Sequence, residues 1–377
     1  MLVLGAAASP SWSRAPITRF RGALDGVSAV SANYAWAVGD FTTAHGTRQI
    51  LHWNGASWAA VPSPDPGRAA FLTAVSARSR TDAWAAGGAA SAALLLRWNG
   101  RAWARVPSPA PDGARVVDLA GVSTVSASDA WAVGSYCLST PCFFAGPAPL
   151  HSLILHWNGR AWKIVPSPDP GGRFGTVLNA VTGLSASNAW AVGTYGINTT
   201  NNRACPDCPG QKSFVLHWNG STWAQVASPS RGVPPASDLL AVTAVSRVHA
   251  LAVGWSVFDI PDEQRTLALR WNGTTWTHTP TPSPGPSGNV FAYLAGVSAT
   301  SPVNAWAVGS DQAPGQKMLV LRWNGSTWTR VPAPSPRSLN GSVLSAVSAL
   351  SPASAWAVGS NGRTLVLRWN GTTWTRS

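Results

Sequence analysis

Four cysteines are the residues whose spacing most directly implies chemistry. Cys137 and Cys142 stand five positions apart, and Cys205 and Cys208 frame a Cys-Pro-Asp-Cys run. Thiols this close either bond to each other or hold a metal as thiolates. Two local disulfides, Cys137–Cys142 and Cys205–Cys208, suit long loops in an exported protein. A single zinc site with four thiolate ligands, drawn from both pairs, is the alternative, because the spacer in the first pair lies within the metal range. Disulfides are the expectation, with no metal and no cofactor assigned. A thioredoxin-like role is disfavoured, since no helix start supports the Cys-x-x-Cys run.

Aromatic rings gather in the same stretches. Tyr136, Phe143, Phe144, Tyr195, Trp255 and Phe258, with the charged Arg203, Asp259 and Asp311, are a candidate surface for a sugar, a peptide or another protein. The competing reading packs the rings beneath their own loops, with Trp255 filling space left where Leu251 replaces a repeated Trp. Acids and bases are sparse. Glu263 is the only glutamate, and of the aspartates Asp82 and Asp129 occupy a short turn where Asn188, Asn304 and Ser354 also stand. Asp40, Asp259, Asp262, Glu263 and Asp311 remain on loops, without a motif setting two carboxylates about a glycosidic bond. His52, His156 and His217 share a repeated surface position with Arg97, Arg270, Arg322 and Arg368; His249 lies in a turn, which leaves His45 and His151 as loop candidates. No catalytic residue is assigned.

These residues must be held by a repeat. Seven times a Leu is followed twelve residues later by Trp-Ala-Val-Gly or a close variant, then by Trp-Asn-Gly, with another Trp five residues after the first of that triplet. The frames are Leu24/Trp36/Trp53/Trp58, Leu72/Trp84/Trp98/Trp103, Leu119/Trp131/Trp157/Trp162, Leu178/Trp190/Trp218/Trp223, Leu239/Leu251/Trp271/Trp276, Leu294/Trp306/Trp323/Trp328 and Leu344/Trp356/Trp369/Trp374. Each contains four short apolar runs bounded by Gly, Pro, Asn and Ser, which are strand signals. The Asn-Gly step between the last two runs supplies the positive φ of a tight hairpin, and it explains Asn219, Asn272, Asn324 and Asn370 better than their glycosylation sequons do. The second run puts Ala on one face and Trp and Val on the other, so each sheet must bury both faces against neighbours. The expectation is all-β, a seven-bladed β-propeller of four-stranded antiparallel blades. Its blades span approximately 18–65, 66–112, 113–170, 171–231, 232–284, 285–337 and 338–377.

Residues 1–17 stand apart: Met1–Ser9 is apolar and ends in small residues, as a clipped secretion signal or a ragged start would, and Trp12-Ser-Arg-Ala-Pro16 matches the fourth-strand signature as an extra outer strand. Either that strand or the local hairpin through Asn370-Gly371 closes the ring, and the hairpin is expected. The net charge of +13 is carried almost wholly by Arg at repeated positions, including outer-strand sites such as Arg105, Arg330 and Arg376, where charge discourages edge pairing. A diffuse pattern of this kind disfavours nucleic acid as a partner, and no apolar run is long enough to span a membrane.

Spacing separates the two faces of the disc. The gaps of twelve and five never vary, whereas the stretch from the second-run Gly to the third-run Trp is 14, 11, 23, 25, 17, 14 and 10 residues along the chain. Loops on a rigid scaffold are where binding usually resides. Leu321-Arg-Trp-Asn-Gly-Ser-Thr-Trp-Thr-Arg-Val-Pro resembles the kelch third-to-fourth strand hairpin, and Ala305-Trp-Ala-Val-Gly is similar to a strand of the photosystem-assembly-factor and Asp-box propellers. The likeness covers residues 18–377 and implies the fold; those families range from adaptors to sialidases. The kelch double glycine occurs only as Gly87-Gly88, and the Asp-box turn is replaced by a shorter one. The functional expectation is a monomeric, secreted or cell-surface bacterial scaffold binding a protein or glycan on the variable face of blades three to five. A hydrolase or lyase using loop carboxylates near the central channel is the alternative.

Overall fold

The computed structural model describes residues 21–43, 46–64, 70–89, 91–139, 142, 149–196, 210–230, 236–258, 263–282, 291–311, 317–334 and 341–377. Seven antiparallel sheets follow one another along the chain, and six have four strands in sequential order. In the third blade these are Val116–Ser126, Asp129–Cys137, His151–Trp157 and Trp162–Ile164. The first blade differs only in a broken inner strand, Arg21–Gly22 and Gly26–Ser31, both parts pairing with Tyr34–Thr43. Each inner strand packs on the next, and the last, Val343–Ser351, returns to the first. The expected seven-bladed propeller is therefore the observed fold.

The repeated Trp residues work between blades. Trp36 of blade one lies 4.8 Å from Trp98 and 5.1 Å from Trp103 of blade two, the second contact edge-to-face. The same wedge recurs for Trp84 against Trp157 and Trp162, Trp131 against Trp218 and Trp223, Trp190 against Trp271 and Trp276, and Trp306 against Trp369 and Trp374. Trp356 closes the circle on Trp53 and Trp58. Each aromatic pair contributes about 0.5–1.5 kcal/mol beyond the apolar area it buries. In every blade the third-strand indole N–H also donates to the carbonyl of the turn below it, at 2.9–3.2 Å. Blade seven thus meets blade one as any blade meets the next. Its outer strand, Trp374–Arg376, pairs with Thr364–Trp369 as the hairpin reading expected; residues 12–16 lie outside the described residues.

A second girdle runs around the channel. The fourth residue after each repeat Leu is Ser or Thr: Ser28, Ser76, Ser123, Thr182, Thr243, Ser298 and Ser348. At six of seven seams this hydroxyl accepts a hydrogen bond of 2.9–3.3 Å from a backbone N–H of the next blade's inner strand. The bond satisfies edge groups that an inner strand would otherwise leave unpaired.

The Gly of Trp-Ala-Val-Gly answers to a bulge. Between Leu119 and Gly121, and at the equivalent place in five other blades, the inner strand carries one extra residue. The kink presses the preceding carbonyl onto the facing glycine. A Cβ on Gly309 would sit 2.0 Å from Tyr293 O, and the other six glycines meet the same obstacle at 1.9–2.4 Å. Because backbone forms the obstacle, no rotamer change relieves it. Gly309→Ala is expected to cost roughly 2–4 kcal/mol of stability in a urea titration; a loss within about 0.5 kcal/mol would contradict this account.

Candidate functional site

The variable loops and inter-blade connections open on the face where inner strands begin, and blade three presents the best-defined cluster there. Its second strand ends in Tyr136 and Cys137, and Tyr136 is in register with His151 at the start of the third strand. The two rings lie 5.1 Å apart, tilted by 32°. His151 Nδ1 is 2.6 Å from Asp169 Oδ2, in the connection leaving this blade, and both side chains keep solvent contact. A carboxylate on Nδ1 holds the ring proton on that nitrogen and leaves Nε2 as the acceptor. Burial raises the Tyr136 phenol above its usual range, and the Asp169 charge adds to this.

Backbone and thiol chemistry hold the cluster. Ser152 Oγ donates to Pro168 O at 3.1 Å, pinning the connection to the third strand. Thr176 N donates to Leu150 O at 2.7 Å, which turns the connection back beside His151. Just before that return, the short 3-10 turn Gly172–Phe174 sets the Arg173 guanidinium 4.7 Å over the Phe174 ring. Cys137 and Cys142 form a disulfide with Cα atoms 6.1 Å apart, leaving neither thiolate for a zinc bridge. Leu138, inside that closed loop, is 51% exposed.

The other expected residues do not converge on this cluster. Tyr195 is half-buried and packs edge-on against Phe214 at 5.7 Å, at the margin of the core. Asp311 is 2% exposed and paired in register with Lys317, which corrects its expected place on the binding surface. Trp255 does not fill the space left by Leu251. It lies four residues along the strand, opposite Asp238 and Thr266, whereas the vacated space is lined by Thr243, Leu251, Trp271 and Pro302 toward the other face. Phe258 ends its strand with its backbone paired to Glu263. Phe143, Phe144, Arg203, Cys205, Cys208, Asp259, Asp262 and His45 lie outside the described residues.

The repeated His and Arg are seam residues. His156 stacks on Trp131 at 4.2 Å and contacts Asp129 at 3.0 Å; His217 lies 4.3 Å from Trp190. His52 is buried against Trp36, and that burial, with the Arg80 charge, pushes its pKa down to about 4. For His52 this corrects the surface reading, whereas His156, His217 and Arg97 remain partly exposed. Arg97 bridges Trp84 and Trp157 while pairing with Asp82.

Sequence reasoning missed the residues beside the repeat Leu. Asp118, Asp238 and Tyr293 each sit one position before it, at the bulge where the channel meets the variable face, and Asp25 sits one position after it, in the break of blade one's inner strand. Asp238 accepts a hydrogen bond of 2.9 Å from Asn179 of the preceding blade. Burial nevertheless raises its pKa to about 7, against the lowering effect of that bond. Asp118 is raised by burial, and the position of its carboxylate explains Gly88, where a Cβ would sit 2.3 Å from Asp118 Oδ1. Asp25 retains solvent contact, yet protein atoms crowd its carboxyl, and this desolvation with the nearby Asp40 charge raises it to about 6. The available signal was a polar residue one position before the Leu in three copies, Asp118, Asp238 and Tyr293.

No protein-family model matches the chain, and no curated protein does. Solved structures share its fold. YCF48 bound to D1 peptide superposes with a TM-score of 0.52 at 13% identity over 97% of this chain and 98% of that one. A GH74 xyloglucanase from Xanthomonas campestris gives 0.58 at 14% identity, over 97% of this chain and 55% of that one. A PL25 ulvan lyase gives 0.55 at 10% identity, over 97% and 98%. At these identities the likeness concerns the fold. No helix among the described residues is long and apolar enough to cross a membrane.

Asp238, half-buried as a residue but with its carboxyl enclosed, sets a pH dependence. Its carboxyl binds a proton more tightly folded, at about 7, than at its ordinary value of 3.8, so its contribution is present below 3.8 and lost as pH rises through about 7. Asp238→Asn is therefore expected to raise Tm over wild type at pH 8 and to change it little at pH 4. Melting curves shifted equally at both pH values would contradict this.

Proposed function

We propose that this chain is a non-enzymatic binding propeller, exported and monomeric, that recognises a carbohydrate or a protein segment on its variable face over blades three to five. The Tyr136–His151–Asp169 cluster carries the reading. A tyrosine ring supplies a flat apolar face with a polar tip, the arrangement that suits a sugar ring or a peptide side chain. Beside it Asp169 orients the imidazole and leaves Nε2 for a ligand hydroxyl or amide. The disulfide and the serine-pinned connection limit the ordering cost of binding. The fold accommodates both ligand classes, since one solved relative in shape holds a peptide and another is a xyloglucanase.

A hydrolase or lyase is the second reading, and Asp25 with Asp40 favours it. A carboxyl titrating at about 6 next to an exposed carboxylate, at the mouth of the channel, is a pairing that acid–base cleavage of a glycosidic linkage uses.

Glycan and peptide arrays probed with the full chain separate the two. Tyr136→Ala and His151→Ala are each expected to weaken the ligand found by about tenfold or more, at an unchanged Tm, while Asp25→Asn with Asp40→Asn leaves affinity intact. Time-dependent cleavage of the ligand, abolished by Asp25→Asn, would overturn the binding reading in favour of the enzyme. Affinity falling steeply with salt would point to a nucleic acid instead.

A further inference from the structure

One seam of the ring lacks its wedge. Six second strands bring an indole to the next blade, but blade five brings Leu251, which packs against Trp323 and Trp328 of blade six. A shallow, solvent-open cleft remains there, lined by Leu251, Arg270 and Trp271 from blade five and by Ser301, Pro302 and Trp323 from blade six. It opens on the face of constant turn lengths, opposite the cluster of blade three.

Neighbours of the cleft depart from their counterparts in the same direction. The third-strand Trp is at most 9% exposed in the other blades, whereas Trp271 is only partly buried. Arg97, Arg322 and Arg368 each lie over two indoles, one from each blade, at 5.2–5.8 Å. Arg270 lies over Trp323 alone, at 5.9 Å. The turns flanking the cleft carry Val248, 47% exposed, and Val303, 62% exposed, two of the few large apolar side chains so open to water. Arg270 has no acidic partner among the described residues, and His249 stands where Asp82 pairs with Arg97 in blade two.

We propose that this cleft receives an aromatic side chain from an acidic segment of a partner polypeptide. The chemistry of the occupant follows from the six filled seams, where the equivalent space holds an indole against two Trp rings beneath a guanidinium or an imidazole. An incoming ring enters over Leu251, covers the exposed edge of Trp271 and gives Arg270 its second π face. Neighbouring carboxylates on the same segment meet the positive charge of Arg270. Val248 and Val303 form the apolar rim that excludes water from the contact.

The test uses the whole chain, labelled with 15N, and the Trp271 indole N–H signal as reporter. N-Acetyl-tryptophan, which carries an indole and a carboxylate, is expected to shift that signal saturably, and N-acetyl-tryptophanamide to bind several-fold more weakly. Leu251→Trp, which restores the wedge, is expected to abolish the shift while raising Tm. Val303→Glu, at an exposed position where folding is not at risk, is expected to weaken binding by about tenfold. No saturable shift at millimolar probe, or a shift that survives Leu251→Trp, would overturn the proposal. So would a response to a methyl glycoside in place of the indole, which would make the cleft a sugar site.

Discussion

Contact between the second-strand indole of one blade and the paired indoles of the next is the constraint on which the ring depends. A four-stranded sheet with a small-residue face and a large-residue face has no core of its own, so each blade is stable only where its neighbours cover it. The wedge also sets direction, because a blade offers one side chain forward and receives on two indoles. Repeating that asymmetric contact closes the circle at Trp356 with Trp53 and Trp58 by the same geometry as elsewhere. Closure needs no exchanged strand among the described residues.

Nearer the axis the requirement changes from apolar cover to polar satisfaction. Inner strands have an edge without a sheet partner, and the Ser/Thr girdle supplies hydrogen bonds across the seams. The bulge beside the repeat Leu serves the other end of the same strand, where it forces the facing Gly and brings Asp118 and Asp238 against the preceding blade. The raised carboxyls are thus a product of packing at the channel mouth. Asn179 lowers part of that cost and does not remove it.

Charge follows the same division. Much of the +13 resides in guanidinium groups lying over Trp rings or on outer strands, where Arg105, Lys163, Arg330 and Arg376 are exposed as the edge argument required. Blade three is different. Its long connection, disulfide and oriented His151 occupy a face whose lengths vary freely, and none of them is needed to hold the ring.

The sequence by itself determined the number of blades, their strand order, the hairpin turn and the division into a constant and a variable face. These features have a period, and a period is visible along one dimension. It also pointed to the Cys137–Cys142 pair, since that bond is local. Only tertiary structure decided what lies across a seam. Tyr136 and His151 are fifteen residues apart and Asp169 a further eighteen, with no motif joining them, yet strand register and one returning connection make them neighbours. Asp311 looked like a loop acid and is buried, while His52 looked like a surface residue and lies against Trp36. Burial at those positions is set by the adjoining blade. A repeat reveals which residues are equivalent, and the partner that each one meets is fixed only when the ring closes.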